Sequence, residues 1–295
     1  MTRPVNIMGL WRLEPIRIVL VEPAGPLNVG AIARVMKNMG LHQLILVNPQ
    51  CDPQCEQAQH MAVHARDLLA AARIVGTLSE ALVGCQRAIA TTGRLHPQDQ
   101  PLEAPEAALP WLLSPMPNPN KWAAALIFGP EDRGLSNAEL IYAQRWVRIP
   151  VSDAYPSLNL AQAVAICAYV LHDSAQGRDA GMAKLAAQST NLPPPRPDLA
   201  TPPQVPLDQA PLDQMEGFYQ DLESLLLKIG YLYPHTAASR MAKLRRLLQR
   251  AEPNSQELAM LRGVLRQVNW AIASEQSSGQ SPDQSLKQSS DQPEA

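Results

Sequence analysis

Residues Ile16 to Gly40 read IRIVLVEPAGPLNVGAIARVMKNMG, and this stretch decides the fold class. It opens with aliphatic and β-branched residues typical of a buried strand, then turns through Pro23 and Gly25. Beyond the turn the apolar residues recur at helical spacing as far as Gly40. A strand that leads directly into a helix is the repeating unit of α/β proteins, so the stretch predicts the first such unit of this chain.

Further apolar runs alternate with amphipathic stretches along the next 130 or so residues. Including the first, the predicted strands are IRIVLVE (16–22), LILV (44–47), RAIATT (87–92), ALIFG (125–129) and WVRIP (146–150). Two of the intervening helices begin with capping-box pairs, Thr77 with Glu80 and Ser136 with Glu139. The pattern predicts an α/β domain with a parallel sheet covered on both faces.

Bulk composition excludes several classes of protein. The 295 residues are 46% hydrophobic with a formal net charge of −2, so any nucleic-acid site must be a local patch. Four cysteines in so long a chain favour a reducing compartment over a disulfide framework. No convincing signal peptide opens the chain and no apolar run reaches about 18 residues, which predicts a cytoplasmic protein without a membrane span.

Composition also divides the chain into segments. We expect an N-terminal extension (1–14), an α/β domain (15–175), a Pro-rich linker (176–212), a helical extension (213–274) and a disordered tail (275–295). The helical extension contains one amphipathic helix and then two more that are separated at Pro253.

The first helix carries unusual chemistry near its start. If it begins near Leu27, Asn28 can cap its free N–H groups. Gly30, Arg34 and Lys37 then fall within roughly 60° of one another on the helical surface. A surface arginine on an ordinary capped helix is the simpler interpretation, but it leaves Gly30 unexplained, since glycine costs about 1 kcal/mol inside a helix.

A second notable turn follows the fourth predicted strand. There the strand runs into Gly129, a charged turn, Gly134 and a helix that Ser136 caps. Open α/β sheets bind ligands at the carboxyl ends of their strands, so Gly129 is expected to let a ligand approach the backbone.

A third polar loop precedes a very apolar helix. Ser157 and Asn159 stand before the alanine-rich segment LAQAVAIC (160–167), which has almost no polar face. A helix of this kind indicates either a subunit interface or a deep core.

Two weaker patterns leave alternatives open. Cys51, Cys55, His60 and His64 lack the spacing of familiar zinc sites, so we expect no metal. Residues 240–266 hold seven basic and two acidic side chains, which fits either a solvated helix face or a patch that contacts phosphates.

Three of these stretches, in this order, resemble the motifs of SpoU/TrmH-type SPOUT RNA 2′-O-methyltransferases. They are NVGAIAR (28–34), FGPEDRGLSN (128–137) and IPVSDAYPSLNLAQAVAI (149–166). With RIVLVE, MGLHQLILVNP and MAKLRRLLQRAEPNSQELAMLRGVL, the chain resembles the TrmJ branch, which methylates ribose in the tRNA anticodon loop. The resemblance covers about 16–173 and 213–268.

The resemblance implies a SPOUT-type parallel sheet with a C-terminal trefoil knot, in which S-adenosylmethionine is held mostly by backbone groups. The implied cofactor-binding residues are Thr91, Thr92, Gly93, Gly129, Ile149, Pro156, Ser157 and Leu158. It also implies a homodimer formed through the helix after Asn159, with an active site that spans two subunits.

The resemblance marks Arg34 as the catalytic residue, assisted by Asn28, Ser157 and Asn159. The residues expected to contact RNA are Arg34, Lys37, Arg94, Arg245 and Arg246. The expected activity is 2′-O-methylation of tRNA, at anticodon-loop position 32. The alternatives are methylation of ribosomal RNA, and a non-catalytic RNA-binding protein that retains the fold.

Overall fold

The computed structural model describes residues 13–93, 101–114, 122–176 and 209–278. Arg94, most of the predicted linker, the first twelve residues and most of the predicted tail lie outside these ranges. No helix in the described ranges is long and apolar enough to cross a membrane.

The described part contains a seven-stranded sheet in which every strand pair is parallel. The strands are β1 (Ile16–Val21), β2 (Gln43–Val47), β3 (Arg73–Val75), β4 (Cys85–Thr91), β5 (Leu102–Glu103), β6 (Ala123–Phe128) and β7 (Arg145–Val147). Their order across the sheet is β3-β2-β1-β6-β4-β7-β5. All five predicted strands are present, and the α/β class with a parallel sheet is confirmed.

The two edge strands, β3 and β5, were not predicted from the sequence. They are only three and two residues long, and none of their side chains is fully buried. Because an edge strand needs no continuous apolar run, these segments carry no hydrophobic pattern to recognise.

Helices cover both faces of the sheet. They are α1 (Pro26–Met39), α2 (Glu56–Ala62), α3 (Arg66–Ala70), α4 (Leu78–Ala81), α5 (Pro105–Ala108), α6 (Asn137–Leu140) and α7 (Leu160–Ala175), with 3-10 turns at Val63–Ala65 and Leu109–Leu113. One large apolar cluster joins β1 to α1 and α7, and a second joins the opposite face to α4 and α6. Leu13, within the predicted N-terminal extension, is fully buried in the first cluster.

The start of α1 differs from the prediction. Its N-cap is Gly25, with Pro26 as the first helical residue, and no side chain caps the free N–H groups. Asn28 lies inside the helix, so the predicted capping role for Asn28 is wrong. Proline is favoured at this position because its missing N–H would have no helical partner.

Gly30 is buried and faces α2, not a solvent-exposed stripe beside the cations. A Cβ atom built on Gly30 would lie 2.2 Å from the carbonyl oxygen of Ala58. The glycine therefore allows two helix backbones to touch, which explains it without any role in ligand binding.

Helix α7 is buried on one side only. Val164, Cys167 and Leu171 are fully buried, whereas Ile166 and Tyr169 are exposed. The deep-core alternative is therefore excluded within the described chain, and an apolar face of the helix remains open to solvent.

Three further helices pack around their own apolar cluster. They are α8 (Leu212–Lys228), α9 (Pro234–Ala251) and α10 (Ser255–Ser278). The backbone N–H of Gly84 donates to the Asp213 carboxylate (3.0 Å), and the Gln249 amide donates to the Ile141 carbonyl oxygen (2.9 Å). These bonds attach the helical extension to the α/β domain.

Candidate functional site

A pocket of about 320 Å³ opens at the carboxyl ends of β6, β4 and β7, which are neighbours in the sheet. All eight residues expected to hold the cofactor line it: Thr91, Thr92, Gly93, Gly129, Ile149, Pro156, Ser157 and Leu158. The volume lies within the range of ordinary small-molecule sites. Three segments that are distant in sequence therefore build one concave surface.

The floor of the pocket is fixed by the ends of the strands. The Thr91 hydroxyl donates to the Ile127 carbonyl oxygen (3.0 Å), and the Thr92 N–H donates to the Val147 carbonyl oxygen (2.9 Å). These bonds join the last residues of β4 to both of its neighbours. At Gly93 an added Cβ would meet only the Pro156 carbonyl oxygen, at 3.9 Å, so the backbone there is open to a ligand.

The turn from Gly129 to Gly134 forms another wall. A Cβ on Gly129 would lie 2.3 Å from the Leu135 nitrogen, and Gly134 has a φ of +66°. Both glycines are thus required by the turn itself. This is a different reason for Gly129 from the expected approach of a ligand, although Gly129 does line the pocket.

Ser136 caps α6 as the sequence predicted. Its hydroxyl accepts from the Glu139 N–H while the Glu139 carboxylate accepts from the Ser136 N–H, so the capping box is complete. Arg133 also pairs with Glu139 (2.9 Å) and with Glu22 at the end of β1 (2.7 Å). These two ion pairs raise the pKa of Arg133 and tie the turn to β1.

Asn28 and Asn159 meet beside the pocket. The Asn159 side-chain N–H donates to the Asn28 side-chain oxygen (3.0 Å), and the Asn159 oxygen also caps α7 by accepting from Ala161 (2.9 Å). The Asn28 N–H in turn donates to the Glu131 carboxylate (2.8 Å). The three side chains therefore form one continuous network.

Glu131 is a site residue that was not predicted from the sequence. Its carboxylate also accepts from the backbone N–H groups of Ala24 (3.1 Å) and Gly25 (3.2 Å), just before α1. Partial burial raises the pKa of Glu131, but the hydrogen bond from Asn28 and those from the backbone outweigh it, and the net pKa is lowered. Its partners are more than 100 residues away in sequence, so no local pattern could have revealed them.

Arg34 and Ser157 are placed differently from this network. Ser157 lines the pocket, whereas Arg34 is exposed on α1, does not line the pocket and makes no hydrogen bond or ion pair to the described residues. The structure therefore brings together Asn28, Asn159 and Glu131, which lines the pocket, and leaves the Arg34 guanidinium directed to solvent.

Lys37, one turn after Arg34, is already paired. Its ammonium donates to the Asp67 carboxylate (2.7 Å) and to the His64 carbonyl oxygen (2.8 Å). The hydrogen bond from Lys37 lowers the pKa of Asp67. These contacts connect α1 to the 3-10 turn Val63–Ala65 and to α3. This structural role of Lys37 was not predicted from the sequence, which gave only a contact with RNA.

Arg245 is nearly buried in the helical extension. It forms a bidentate ion pair with Glu216, and its guanidinium stacks 4.3 Å from the Tyr219 ring centroid. Because the side chain is only 10% exposed, the expected contact between Arg245 and RNA is corrected to a structural role in the helical extension. Arg246 is half-buried, and Arg94 lies outside the described residues.

The cysteine and histidine positions show no arrangement typical of zinc. His60 approaches Glu56 at 3.7 Å, and Cys51 and Cys55 are partly buried in the loop before α2. Among the residues that the structure describes, no group of three or more His, Cys, Asp or Glu side chains is placed to hold a metal ion.

Comparison with known proteins gives two family matches. Residues 15–169 match the SpoU rRNA Methylase family, and residues 213–280 match the C-terminal domain of the tRNA methyltransferase TrmJ. The two matches cover the α/β domain and the helical extension, respectively.

Individual relatives match across nearly the whole chain. The tRNA (cytidine/uridine-2′-O-)-methyltransferase TrmJ of Klebsiella pneumoniae is 40% identical over 260 residues, which cover 87% of this chain and 97% of that protein. TrmJ of Shigella dysenteriae is 39% identical over 260 residues, with 87% and 96% covered.

Two solved structures are also similar. The crystal structure of TrmJ from Z. mobilis ZM4 superimposes with a TM-score of 0.69 at 30% identity and covers 86% of this chain and 98% of that one. A probable methyltransferase from Bordetella pertussis has a TM-score of 0.52 at 32% identity, with 55% and 97% covered.

Proposed function

The chain belongs to the SpoU rRNA Methylase family, and on this premise we propose that it is an S-adenosylmethionine-dependent tRNA 2′-O-methyltransferase. The observation that carries the proposal is that all eight expected cofactor-binding residues line one pocket at the strand ends. Beside the pocket, hydrogen bonds connect Asn159 to Asn28 and Asn28 to Glu131, one residue from each of the three motifs.

The residues of the pocket fit S-adenosylmethionine in their chemistry. Ile149 and Leu158 would provide apolar contact for the adenosine part, and the open backbone at Gly93 would provide polar groups. Glu131 and Asp132 add negative charge at the rim, which suits a ligand with a sulfonium and an ammonium group. When bound, the cofactor supplies a methyl group on a sulfonium centre and leaves as a neutral thioether.

Arg34 is proposed to hold and orient the ribose. A guanidinium stays protonated in proteins and is a poor base, so its donors serve to bind the 2′-oxygen and the neighbouring phosphate. The 2′-oxygen that Arg34 holds would accept the methyl group of a bound cofactor, and the hydroxyl proton would pass to water. This in-line transfer depends chiefly on positioning, and no metal is required.

We propose that Asn28 and Asn159 position the start of α1 against the turn after β6 and the start of α7. We also propose that Ser157 contacts the nucleotide at the pocket mouth. The hydrogen bond between the two asparagines supports their part of this assignment. Ser157 lines the pocket with an exposed side chain, which is consistent with a contact to the substrate.

A homodimer is part of the proposal. The exposed Ile166 and Tyr169 on α7 offer an apolar surface for a second copy, and Arg34 does not line the pocket of its own chain. Both observations support an active site in which Arg34 of one subunit serves the pocket of the other.

The remaining assignments rest on the family. We propose that the α/β domain spans residues 15–175 and carries a trefoil knot. The helical extension, predicted as 213–274, follows the linker, and its three helices run from Leu212 to Ser278. A tRNA substrate implies a cytoplasmic location, and we expect anticodon-loop position 32 as the target.

The main rival is methylation of ribosomal RNA, which the description of the larger family match favours. The match of residues 213–280 to the C-terminal domain of TrmJ favours tRNA. A non-catalytic RNA-binding protein is less well supported, since Arg34, Asn28 and Asn159 are all present.

Methyl transfer to defined RNAs tests the proposal. The purified chain is incubated with S-adenosylmethionine carrying a labelled methyl group and with either total tRNA or ribosomal RNA from a strain that lacks the gene. We expect label in tRNA, mapped to the 2′-oxygen of nucleotide 32. Label in ribosomal RNA alone would favour the rival, and the absence of both cofactor binding and transfer would overturn the proposal.

A further inference from the structure

Exposed aromatic side chains cluster in the turn between α8 and α9 and at the start of α9, far along the chain from the pocket. In this aromatic turn (residues 230–235) Tyr231 is 57% exposed and Tyr233 is 54% exposed, and His235 is exposed as well. Single exposed aromatic residues are common on protein surfaces, but three rings within five residues form a concentrated surface that needs an explanation.

The backbone of the aromatic turn is fixed. Gly230 has a φ of +74°, and the Leu232 N–H donates to the Leu226 carbonyl oxygen (3.0 Å). Leu232 itself is only 2% exposed and anchors the turn in the apolar cluster of the helical extension. Because Leu232 points inward, the tyrosines on both sides of it are held outward, so little conformational entropy remains to be lost when a ligand binds.

The rings are arranged for stacking. The Tyr233 and His235 rings lie 6.0 Å apart with an interplanar angle of 24°, and the Arg240 guanidinium lies 5.7 Å from the Tyr231 ring centroid. Arg240 also donates to the Tyr231 carbonyl oxygen (2.9 Å), which keeps the cation beside the ring. Aromatic faces with an adjacent arginine are the groups on which unpaired bases stack in RNA-binding proteins.

Positive charge continues from the aromatic turn along α9. Arg240, Lys243 and Arg250 are exposed on this helix and form its basic face. The helix sequence, PHTAASRMAKLRRLLQRA, contains no acidic residue that could neutralise them. Arg245 lies on the opposite side, paired with Glu216, and so does not contribute to the basic face.

From this arrangement we propose that the aromatic turn stacks an unpaired base of the RNA substrate while the basic face of α9 binds the adjacent phosphates. The inference rests on the proposed function, since it assigns the helical extension to recognition of single-stranded RNA such as a tRNA loop. Stacking contributes to affinity in a way that does not depend on counterion release, whereas phosphate contacts do.

Binding of two simple RNAs to the full chain tests the proposal. The probes are an unstructured single-stranded oligoribonucleotide and a duplex of the same length, each carrying a fluorophore for anisotropy. For the variant Tyr231→Ala/Tyr233→Ala we expect about a tenfold loss of affinity for the single strand and an unchanged affinity for the duplex. The slope of log K against log salt concentration stays as in the wild type.

Matched variants separate the contribution of base stacking to RNA affinity from that of charge and from loss of folded structure. Tyr231→Phe/Tyr233→Phe retains the rings and should bind like the wild type. Ile74→Ala, an equally exposed apolar residue on edge strand β3, should have no effect. Lys243→Gln/Arg250→Gln should instead reduce the salt slope, by about 0.7 for each phosphate that the protein no longer neutralises.

Two outcomes would overturn the proposal: wild-type affinity in the double alanine variant, or an equal loss for single strand and duplex. Photocrosslinking to the wild-type protein gives a second test that does not require any variant to fold. Photocrosslinking with a 4-thiouridine oligonucleotide should attach it to the peptide that contains residues 230–240, and its absence there would also refute stacking. Labelled methyl transfer by the wild type is measured in parallel, so a catalytically inactive protein that still stacks RNA would contradict only the proposed function.

Discussion

The side-chain amide of Asn159 donates a hydrogen bond to the side-chain oxygen of Asn28 across 3.0 Å. Asn28 then donates to Glu131, so each of the three motif segments contributes one side chain to a continuous chain of hydrogen bonds. The start of α1, the turn after β6 and the start of α7 are thereby fixed relative to one another. A ligand in the pocket consequently meets a preformed wall.

The Glu131 carboxylate predicts a specific dependence of stability on pH. Because its pKa is lowered in the folded protein, its contribution is complete above the ordinary glutamate pKa of about 4.3 and is lost as the pH falls through the lower folded-state value. Urea unfolding of the wild type and of Glu131→Gln between pH 3 and 7 should therefore give a difference that shrinks towards acid pH.

The Glu131→Gln variant is expected to be less stable by roughly 1 kcal/mol at pH 7, since the group is partly exposed and solvent screens it. Glu14→Gln, a carboxylate outside the network, provides the control. A stability difference that stays constant over the whole pH range would refute this assignment for Glu131.

Gly30 predicts a steric effect that is independent of charge. In Gly30→Ala the new Cβ would lie 2.2 Å from the Ala58 carbonyl oxygen and 2.8 Å from the Met61 Cβ, so α1 and α2 must separate. Overpacking of this kind costs about 1–3 kcal/mol, which thermal unfolding measures directly.

Gly263→Ala is the matched substitution for Gly30→Ala. Gly263 also lies inside a helix, but no atom is within 4 Å of an added Cβ. Alanine should therefore stabilise α10 by up to about 1 kcal/mol through its higher helix propensity. If both variants lowered the melting temperature equally, close helix packing would not be the reason for Gly30.

The sequence predicted a ligand site at Gly129 because this glycine follows an apolar strand, and parallel strands present their carboxyl ends at one edge of the sheet. The full set of cofactor-binding residues, including Thr91 at the end of β4, came from the resemblance to the methyltransferase motifs. The two short edge strands gave no such signal. Turn residues do border them, Gly76 after β3 and Pro101 before β5, but neither strand contains an apolar run longer than two residues.

Interactions between distant segments explain the other differences. Position 30 must be glycine because the Ala58 backbone on a neighbouring helix leaves no room for a Cβ atom. Arg245 can be buried because Glu216 on α8 neutralises its charge. A helical wheel separates the two sides of one helix, but it does not reveal which partner lies opposite. A cation that is paired across a helix interface therefore looks like a surface cation in the sequence.

Arg245 predicts a large loss of stability when its ion pair is broken. Both side chains of the pair are nearly buried, so Arg245→Met leaves Glu216 as an uncompensated charge among apolar residues. A loss of about 3–5 kcal/mol is expected in urea unfolding of the helical extension. Arg245→Met/Glu216→Gln should recover much of it, and a double variant as unstable as the single one would refute the account.

Arg34 provides the test of catalysis, and Lys37 on the same helix provides its control. Arg34 has no partner among the described residues, so Arg34→Ala removes nothing from the fold and should leave the unfolding curve and S-adenosylmethionine binding unchanged. Removing a donor that stabilises a transition state reduces rates by about 10²–10³, so methyl transfer should fall by that factor.

Lys37→Ala breaks the pair with Asp67, so it should lower stability slightly and retain most of the activity. Calorimetric titration of the cofactor and labelled methyl transfer to tRNA give both quantities for each variant. If Arg34→Ala kept wild-type transfer, or if Lys37→Ala abolished it while Arg34→Ala did not, the solvent-exposed arginine would not be the group that orients the ribose.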